Sequence, residues 1–455
     1  MVKNLEYIIH GKSIITMSSK HGIIRDGAIV IEGEEIIDLG KYNEIKPKYT
    51  GYEVIDATNC IVLPGLINAH THMAMSLLRG YADDLMLHEW LEKWIWPLES
   101  KMTSRDVYIG ALLASIEAIK MGTTTVNTMY HYYPDYNEAK AIYETGLRGV
   151  ISHVCFSWRE REDIERLDHL TRNWHGKDNW RIRTAISPHA PYTVSPQYMI
   201  KLREYTDKIN EKIEKDYEKA IWHIHLAETR DEAKKIEQNF KVKIEGGIIE
   251  YLQKLNVLKE VVVAAHCIWL TEKDIQILSK QKVKVVHNPI SNLKLASGIS
   301  PIQKLIENNI TVALGTDSAC SNNLLDMFET MKIAALLQKG TLLNPTAIKA
   351  EEALKMATIN GAKALNWESQ IGSIEKGKKA DIIIVDIQKP HLKPLFNEIS
   401  HLVYAVRSLD VRDVIINGKI VMENNQIRTV NEEWILREVE KVKDSLLERL
   451  HEGEK

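Results

Sequence analysis

The sequence predicts an α/β protein: a (β/α)8 TIM barrel joined to a small β-sandwich domain formed by both termini. Three observations lead to this class. The middle of the chain alternates strand-like and helix-like segments, as parallel α/β architectures do. Eight strand candidates fall within residues 61–376, a span that suits a barrel core of about 250 residues enlarged by insertions. The first 60 residues and the stretch after 376 share another texture, short β-like runs broken by glycine.

Taken in order, residues 1–60 hold YIIHGKSIITM, GAIVIEGEEIIDLG and YEVIDATNCIVLPG, the expected N-terminal part of the sandwich. The barrel strands are expected at Ile61–Ala69, Thr123–Tyr130, Gly149–Phe156, Arg181–Ser187, Ala220–Leu226, Val261–Ala265, Val283–Val286 and Thr311–Gly315. Amphipathic stretches such as RDVYIGALLASIEAIKMG and SPIQKLIENN separate most of them and read as helices. Residues 377–455 return to β texture in ADIIIVDI and VRDVIINGKIVMENNQI, the C-terminal part of the sandwich. The chain then runs into WILREVEKVKDSLLERLHEGEK, whose apolar residues recur at helical spacing.

Composition narrows the function classes. With 455 residues, 44% hydrophobic and 27% charged, the chain can bury a large core and is not of disordered type. A net charge of −3 makes no electrostatic case for nucleic acid or an anionic membrane as partner. There is no signal-peptide apolar region and no run long enough to span a bilayer, so a cytoplasmic location is expected. Cys60, Cys155, Cys267 and Cys320 are far apart and form no CxxC pair, which fits neither a disulfide framework nor a thiolate zinc site.

A barrel places its chemistry at the C-terminal ends of the strands. Here those ends read NAHTH, NTMYH, SHVC, SPHAP, HIHLAE, AAHC, VVHNP and GTDS. Packing alone favours apolar residues at such places, so histidine or aspartate on nearly every strand points to a polar centre. Residues i and i+2 of a strand share a face, so His70 and His72 aim at one point. With a third neutral imidazole and the Asp317 carboxylate, they make a site for a borderline divalent ion with one open position, a catalytic zinc-type arrangement. His225 is preferred as the third imidazole because Glu228, three residues on, can reach over the bound water as a proton shuttle. His223, on the same face, is its rival.

LPGLINAHTH, PHAPYTVS, HIHLAET, AHC, HNPISNLKLASGISP and LGTDSACSNN resemble the amidohydrolase superfamily. Within it, SNLKLASGISP and DDLMLHEWLEKWIWPLES are similar to the 5′-methylthioadenosine/S-adenosylhomocysteine deaminases, over nearly the whole chain. The resemblance implies His70, His72, His225 and Asp317 as ligands of one divalent metal per chain, Zn2+ in the first place and Fe2+ as the alternative. It implies Glu228 as proton shuttle and His266 as the group that polarises the nucleophile, acting with Asp317. Glu99 and His189 are implied to contact a small-molecule nucleoside, with Trp90 as an aromatic wall. Family habit adds a homo-oligomer.

One departure matters. Resembling enzymes that take S-adenosylhomocysteine carry an arginine on the third strand, where this chain has His153. A histidine near neutrality holds a carboxylate weakly, so small neutral 5′ groups are expected to be preferred, with Arg159 and Arg161 as the residues able to compensate. The rival function is another aminohydrolase of the same fold, acting on guanine, cytosine, a pterin or a triazine. A binuclear cyclic amidase is disfavoured because the fourth strand, RIRTAISPHAP, offers no lysine. A metal-free scaffold is the remote reading, since it needs none of these residues.

Overall fold

The computed structural model describes residues 6–452, which form two sheets. One is the barrel. Its eight parallel strands are Leu66–His72, Thr123–Tyr130, Arg148–Cys155, Ile182–Pro188, Ile221–Leu226, Val262–His266, Lys284–His287 and Val312–Leu314. Each pairs with the next in chain order, and the two-residue strand Asp317–Ser318 pairs with Thr71–His72 to close the ring. Gly315 permits this closure, because a Cβ there would sit 2.7 Å from the His70 carbonyl oxygen. Small and branched residues, among them Ile67, Val150, Ala185, Ile221, Val263 and Ala313, pack together over Trp367.

The second sheet is the small sandwich domain, and it is continuous. From one edge its strands are Gln426–Ile427, Lys419–Glu423, Val411–Ile416, Ile382–Asp386, Glu53–Pro64, Glu6–Ile15, Ile23–Glu32 and Glu35–Lys41. Both termini therefore meet in its centre, where Ile61–Pro64 pairs antiparallel with Ile382–Val385. Ile9, Ile29, Ile31, Val62, Ile382 and Ile384 form its apolar interior.

This pairing corrects the first barrel strand expected from sequence. The apolar run Ile61–Ala69 is two elements: residues 61–64 complete a sandwich strand, and the barrel starts at Leu66. The break falls at Pro64–Gly65, where a Cβ on residue 65 would lie 2.1 Å from the Thr124 hydroxyl. The chain passes from the sandwich sheet to the barrel sheet at Gly65. Residues 377–455 carry the remaining sandwich strands and a terminal helix. Their terminal helix, Glu432–Glu452, packs on the barrel helix Ser104–Lys120, with Arg105 to Glu438 at 2.7 Å and Lys120 to Glu432 at 2.9 Å. It flanks the barrel; the final residues 453–455 lie outside the described range.

Helix Ser104–Lys120 begins where its sequence says it should. Thr103 and Asp106 form a capping box, each side chain accepting the other's backbone N–H at 3.3 and 2.7 Å. Barrel and sandwich are joined by a buried fork: Arg148 meets both Asp381 oxygens, at 2.6 and 3.0 Å, and donates to Asn417 Oδ1 at 2.9 Å. All four cysteines are buried and unpaired. Among the described residues, no helix is long and apolar enough to cross a membrane.

Candidate active site

The strand ends converge as the alternation demands. His72 Nε2 lies 3.1 Å and His70 Nε2 3.4 Å from Asp317 Oδ1, and His225 Nε2 lies 3.2 Å from His72 Nε2. Ligand atoms of His70, His72 and Asp317 all fall within 4.8 Å of one another, as do those of His70, His225 and His266. The two groups share His70, so they describe one centre.

The outer atoms of these side chains are all engaged. His70 Nδ1 meets His223 Nε2 at 2.8 Å, His72 Nδ1 the Met129 carbonyl at 2.6 Å, and His225 Nδ1 the His189 carbonyl at 2.7 Å. His266 Nδ1 donates to Asn292 Oδ1 at 2.8 Å. Asp317 Oδ2 accepts from the Ser291 and Ser321 hydroxyls at 2.5 and 3.0 Å, which leaves Oδ1 turned inward. Each imidazole so held presents Nε2 to the centre, the tautomer that metal ligation requires. His70 Nε2 is buried without a hydrogen-bond partner among the described residues. Burial holds His70 down at about 4 and lowers His225 well below the usual range, so both are neutral donors. Burial alone would raise Asp317, but His70 and His72 outweigh it and hold the carboxyl far below its ordinary value. Burial alone would lower His72, but Asp317 outweighs it and raises that imidazole, which must give up its proton to take a metal; three imidazoles and one carboxylate then fit a divalent ion. His223, the sequence rival of His225, sits behind His70.

The backbone is bent to make this possible. Ala227 (φ +51°), His266 (+72°), Cys267 (+47°) and Asp317 (+63°) are all left-handed, a conformation that L-residues avoid and that collects at functional sites. These turns aim Glu228 and His266 into the same space, with 3.8 Å between Oε2 and Nε2. Burial raises the Glu228 carboxyl, the direction a proton shuttle needs.

A cavity opens above the centre, concave and lined by apolar and polar side chains together, as small-molecule sites are. His72, His225, Asp317, Glu228 and His266 form its floor, and Trp90, Glu99 and His189 stand in its wall. Desolvation pushes Glu99 up to about 6, partly offset by Tyr130. His189 Nδ1 donates to Thr193 Oγ1 at 2.9 Å, because that hydroxyl is committed to the Ala190 carbonyl, so Nε2 is left as an acceptor. Trp90 donates its indole N–H to the Ala82 carbonyl at 3.0 Å and offers only its ring.

His153 is not among these residues. It accepts the Tyr132 N–H at Nδ1 (3.0 Å) and donates from Nε2 to Asp163 (2.9 Å), fully buried on the face shared by Ile151 and Cys155. The neighbouring Val154 lines the cavity instead. The expected substrate contact at His153 is therefore corrected. Arg161 points to solvent beside Glu165. Arg159 and, unforeseen from sequence, Arg166 line a second chamber with Glu162, joined to the first through Trp96, Glu99, His131 and Phe156. Arg159 Nε is 3.3 Å from Asp163, and Arg166 pairs with Glu162 over the Tyr133 ring. Ser291, Asn292 and Ser321 were also unassigned, although HNPISNLK and TDSACSNN contain them.

Comparison with known proteins agrees with this geometry. The family model described as "Amidohydrolase family" matches residues 61–421. The 5-methylthioadenosine/S-adenosylhomocysteine deaminase of Thermoanaerobacter pseudethanolicus is 43% identical, over 98% of this chain and 100% of its own. The 5′-deoxyadenosine deaminase of Methanosarcina acetivorans is 42% identical, over 98% and 99%. The crystal structure of a zinc-bound adenosine deaminase from Xanthomonas campestris superposes with a TM-score of 0.90 at 31% identity, covering 97% of this chain and 98% of the other. The chain belongs to the amidohydrolase family.

Proposed function

We propose that this chain is a metal-dependent hydrolytic deaminase of adenosine-type nucleosides: 5′-methylthioadenosine, S-adenosylhomocysteine, 5′-deoxyadenosine or adenosine. Water and nucleoside give the inosine analogue and ammonia. The observation that carries the reading is that one cavity joins the His–Asp centre and Glu228 to Glu99 and His189, a polar wall suited to a ribosylated base. The names of the relatives support it.

His70, His72, His225 and Asp317 would hold one divalent ion, zinc in the first place and Fe2+ as the alternative. When bound, it supplies the Lewis acidity that lowers the pKa of water from about 15.7 towards about 7. Asp317 and His266 flank the attacking oxygen and orient it to C6 of the purine. Glu228 takes the proton released from water and passes it to N1, which receives the C6–N1 π pair as the oxygen lone pair forms the C6–O bond. Collapse of that adduct turns the C6 hydroxyl into the product carbonyl: Glu228 moves the hydroxyl proton to the amino group, and the C6–N bond breaks to release ammonia. Glu99 accepts hydrogen bonds from the ribose hydroxyls, His189 Nε2 meets a donor on the nucleoside, and Trp90 walls the pocket.

Ammonia release across adenosine analogues, guanine and cytosine tests this. Turnover of the adenosine series is expected; a preference for guanine or cytosine would replace the reading by its rival.

A further inference from the structure

Glu228 rides on a turn that is pinned on one side and needs an anchor on the other. The Ala227 carbonyl accepts N–H groups from Ile268 and Trp269 at 2.9 and 3.0 Å, and the Leu226 carbonyl accepts that of Cys267 at 2.9 Å. These bonds tie the strand end to the sixth-strand loop. None of them fixes the amide of Glu228 itself, which follows the left-handed Ala227.

That amide donates to Glu232 Oε2 at 2.9 Å. Glu232 opens the helix Glu232–Phe240 and is 1% exposed, with Oε1 lacking a hydrogen-bond partner among the described residues. An acidic residue in a first helical turn usually serves the helix from the surface, where it remains solvated. Burying the carboxyl here is unfavourable unless something depends on it, and an apolar side chain of similar length would pack as well. Burial, with the Glu228 charge adding to it, pushes Glu232 up to about 8. Near neutrality it is therefore largely the uncharged acid, able to accept the amide N–H without setting a second negative charge beside Glu228.

We infer that Glu232 is a positioning residue: it holds the Glu228 backbone amide and so aims the Glu228 carboxylate at the reacting centre. This rests on the reading of Glu228 as proton shuttle. Glu232 is not among the residues that line the cavity, so its effect passes through Glu228.

The test is a double-mutant cycle on the metal-loaded full chain, reading kcat, KM and metal content. Glu232→Met keeps length without the acceptor. It is expected to lower kcat 10- to 100-fold, with KM changed less than threefold and metal retained. Glu232→Gln keeps a carbonyl acceptor and is expected within threefold of the parent. In the Glu228→Gln background, Glu232→Met is expected to change the residual rate less than twofold, since the group it positions is gone. The inference is overturned by a Met variant with parental kcat, by equal losses in Met and Gln, or by a full loss repeated in the Glu228→Gln background. It is equally overturned if neither variant folds with metal, which would make Glu232 a structural residue. Near-parental turnover in Glu228→Gln alone would instead sink the shuttle reading, and this inference with it.

Discussion

His70 and His223 stand ring to ring, Nδ1 to Nε2 at 2.8 Å, so that one imidazole of the strand-end cluster serves as the hydrogen-bond acceptor of another. Such outer partners fix ligand tautomer and orientation, and their loss typically costs 10- to 100-fold in metal affinity. His223→Phe is expected to weaken metal binding by that factor while leaving the fold intact. Competition with a chelator measures it, and the parent chain should hold one equivalent of metal. An unchanged affinity would show that His70 needs no partner.

Glu228→Gln preserves size and hydrogen bonding but cannot cycle a proton. Turnover is expected to fall about 10²–10⁴-fold, the usual contribution of a general acid–base group, with metal content unchanged. Steady-state rates alongside elemental analysis decide the matter; a rate near that of the parent means the HLAE segment has another role.

The Glu99 carboxyl, raised to about 6, predicts the acid side of the pH profile. Above pH 6 it is ionised and, in the proposed role, offers both oxygens to the ribose hydroxyls; below, the bound proton weakens that acceptance. The kcat/KM should therefore fall as pH drops through about 6. Glu99→Gln should lower kcat/KM at pH 8 and remove the limb at 6. A limb that persists unchanged in this variant belongs to another group.

The proposed nucleoside reading leads the 5′ substituent into the chamber beside Glu99, which Arg159 and Arg166 line and His153 does not. Guanidinium groups bind a carboxylate through charge-assisted hydrogen bonds, each worth about 1.5–3 kcal/mol, or roughly tenfold or more in affinity. Arg159→Ala and Arg166→Ala are each expected to lower kcat/KM for S-adenosylhomocysteine at least tenfold and for 5′-methylthioadenosine less than threefold. Arg161→Ala, at a solvent-facing side chain, should affect neither. Equal losses for both nucleosides would assign the arginines to the fold.

What the sequence made legible follows from period and polarity. His70 and His72 were readable because a two-residue repeat puts both on one face, and polar groups at buried strand ends are costly without a purpose. The same alternation was available for His153: Ile151 and Cys155 share its face, whereas Val154 looks into the cavity. The resemblance drew attention to a position, and the pleat decided its direction. Ile61–Ala69 merged because both of its strands are apolar here and a single residue separates them, so that only Pro64–Gly65 marks the passage between sheets. Glu232 and Arg166 lay beyond such reading, since each matters through a fold in space that no spacing in the chain encodes.

The adjacency of Glu53–Pro64 and Ile382–Asp386 has a temporal side. During synthesis the N-terminal strands emerge first, yet their neighbour arrives roughly three hundred residues later. Until then an isoleucine-rich edge stands with its amides and carbonyls unpaired, the kind of surface that invites pairing with another chain. Closing so long a loop is slow, and chaperones exist for intermediates of this sort. Premature termination anywhere before residue 386 thus abandons that edge permanently, so truncated products of this chain should aggregate even where most of the barrel has been made.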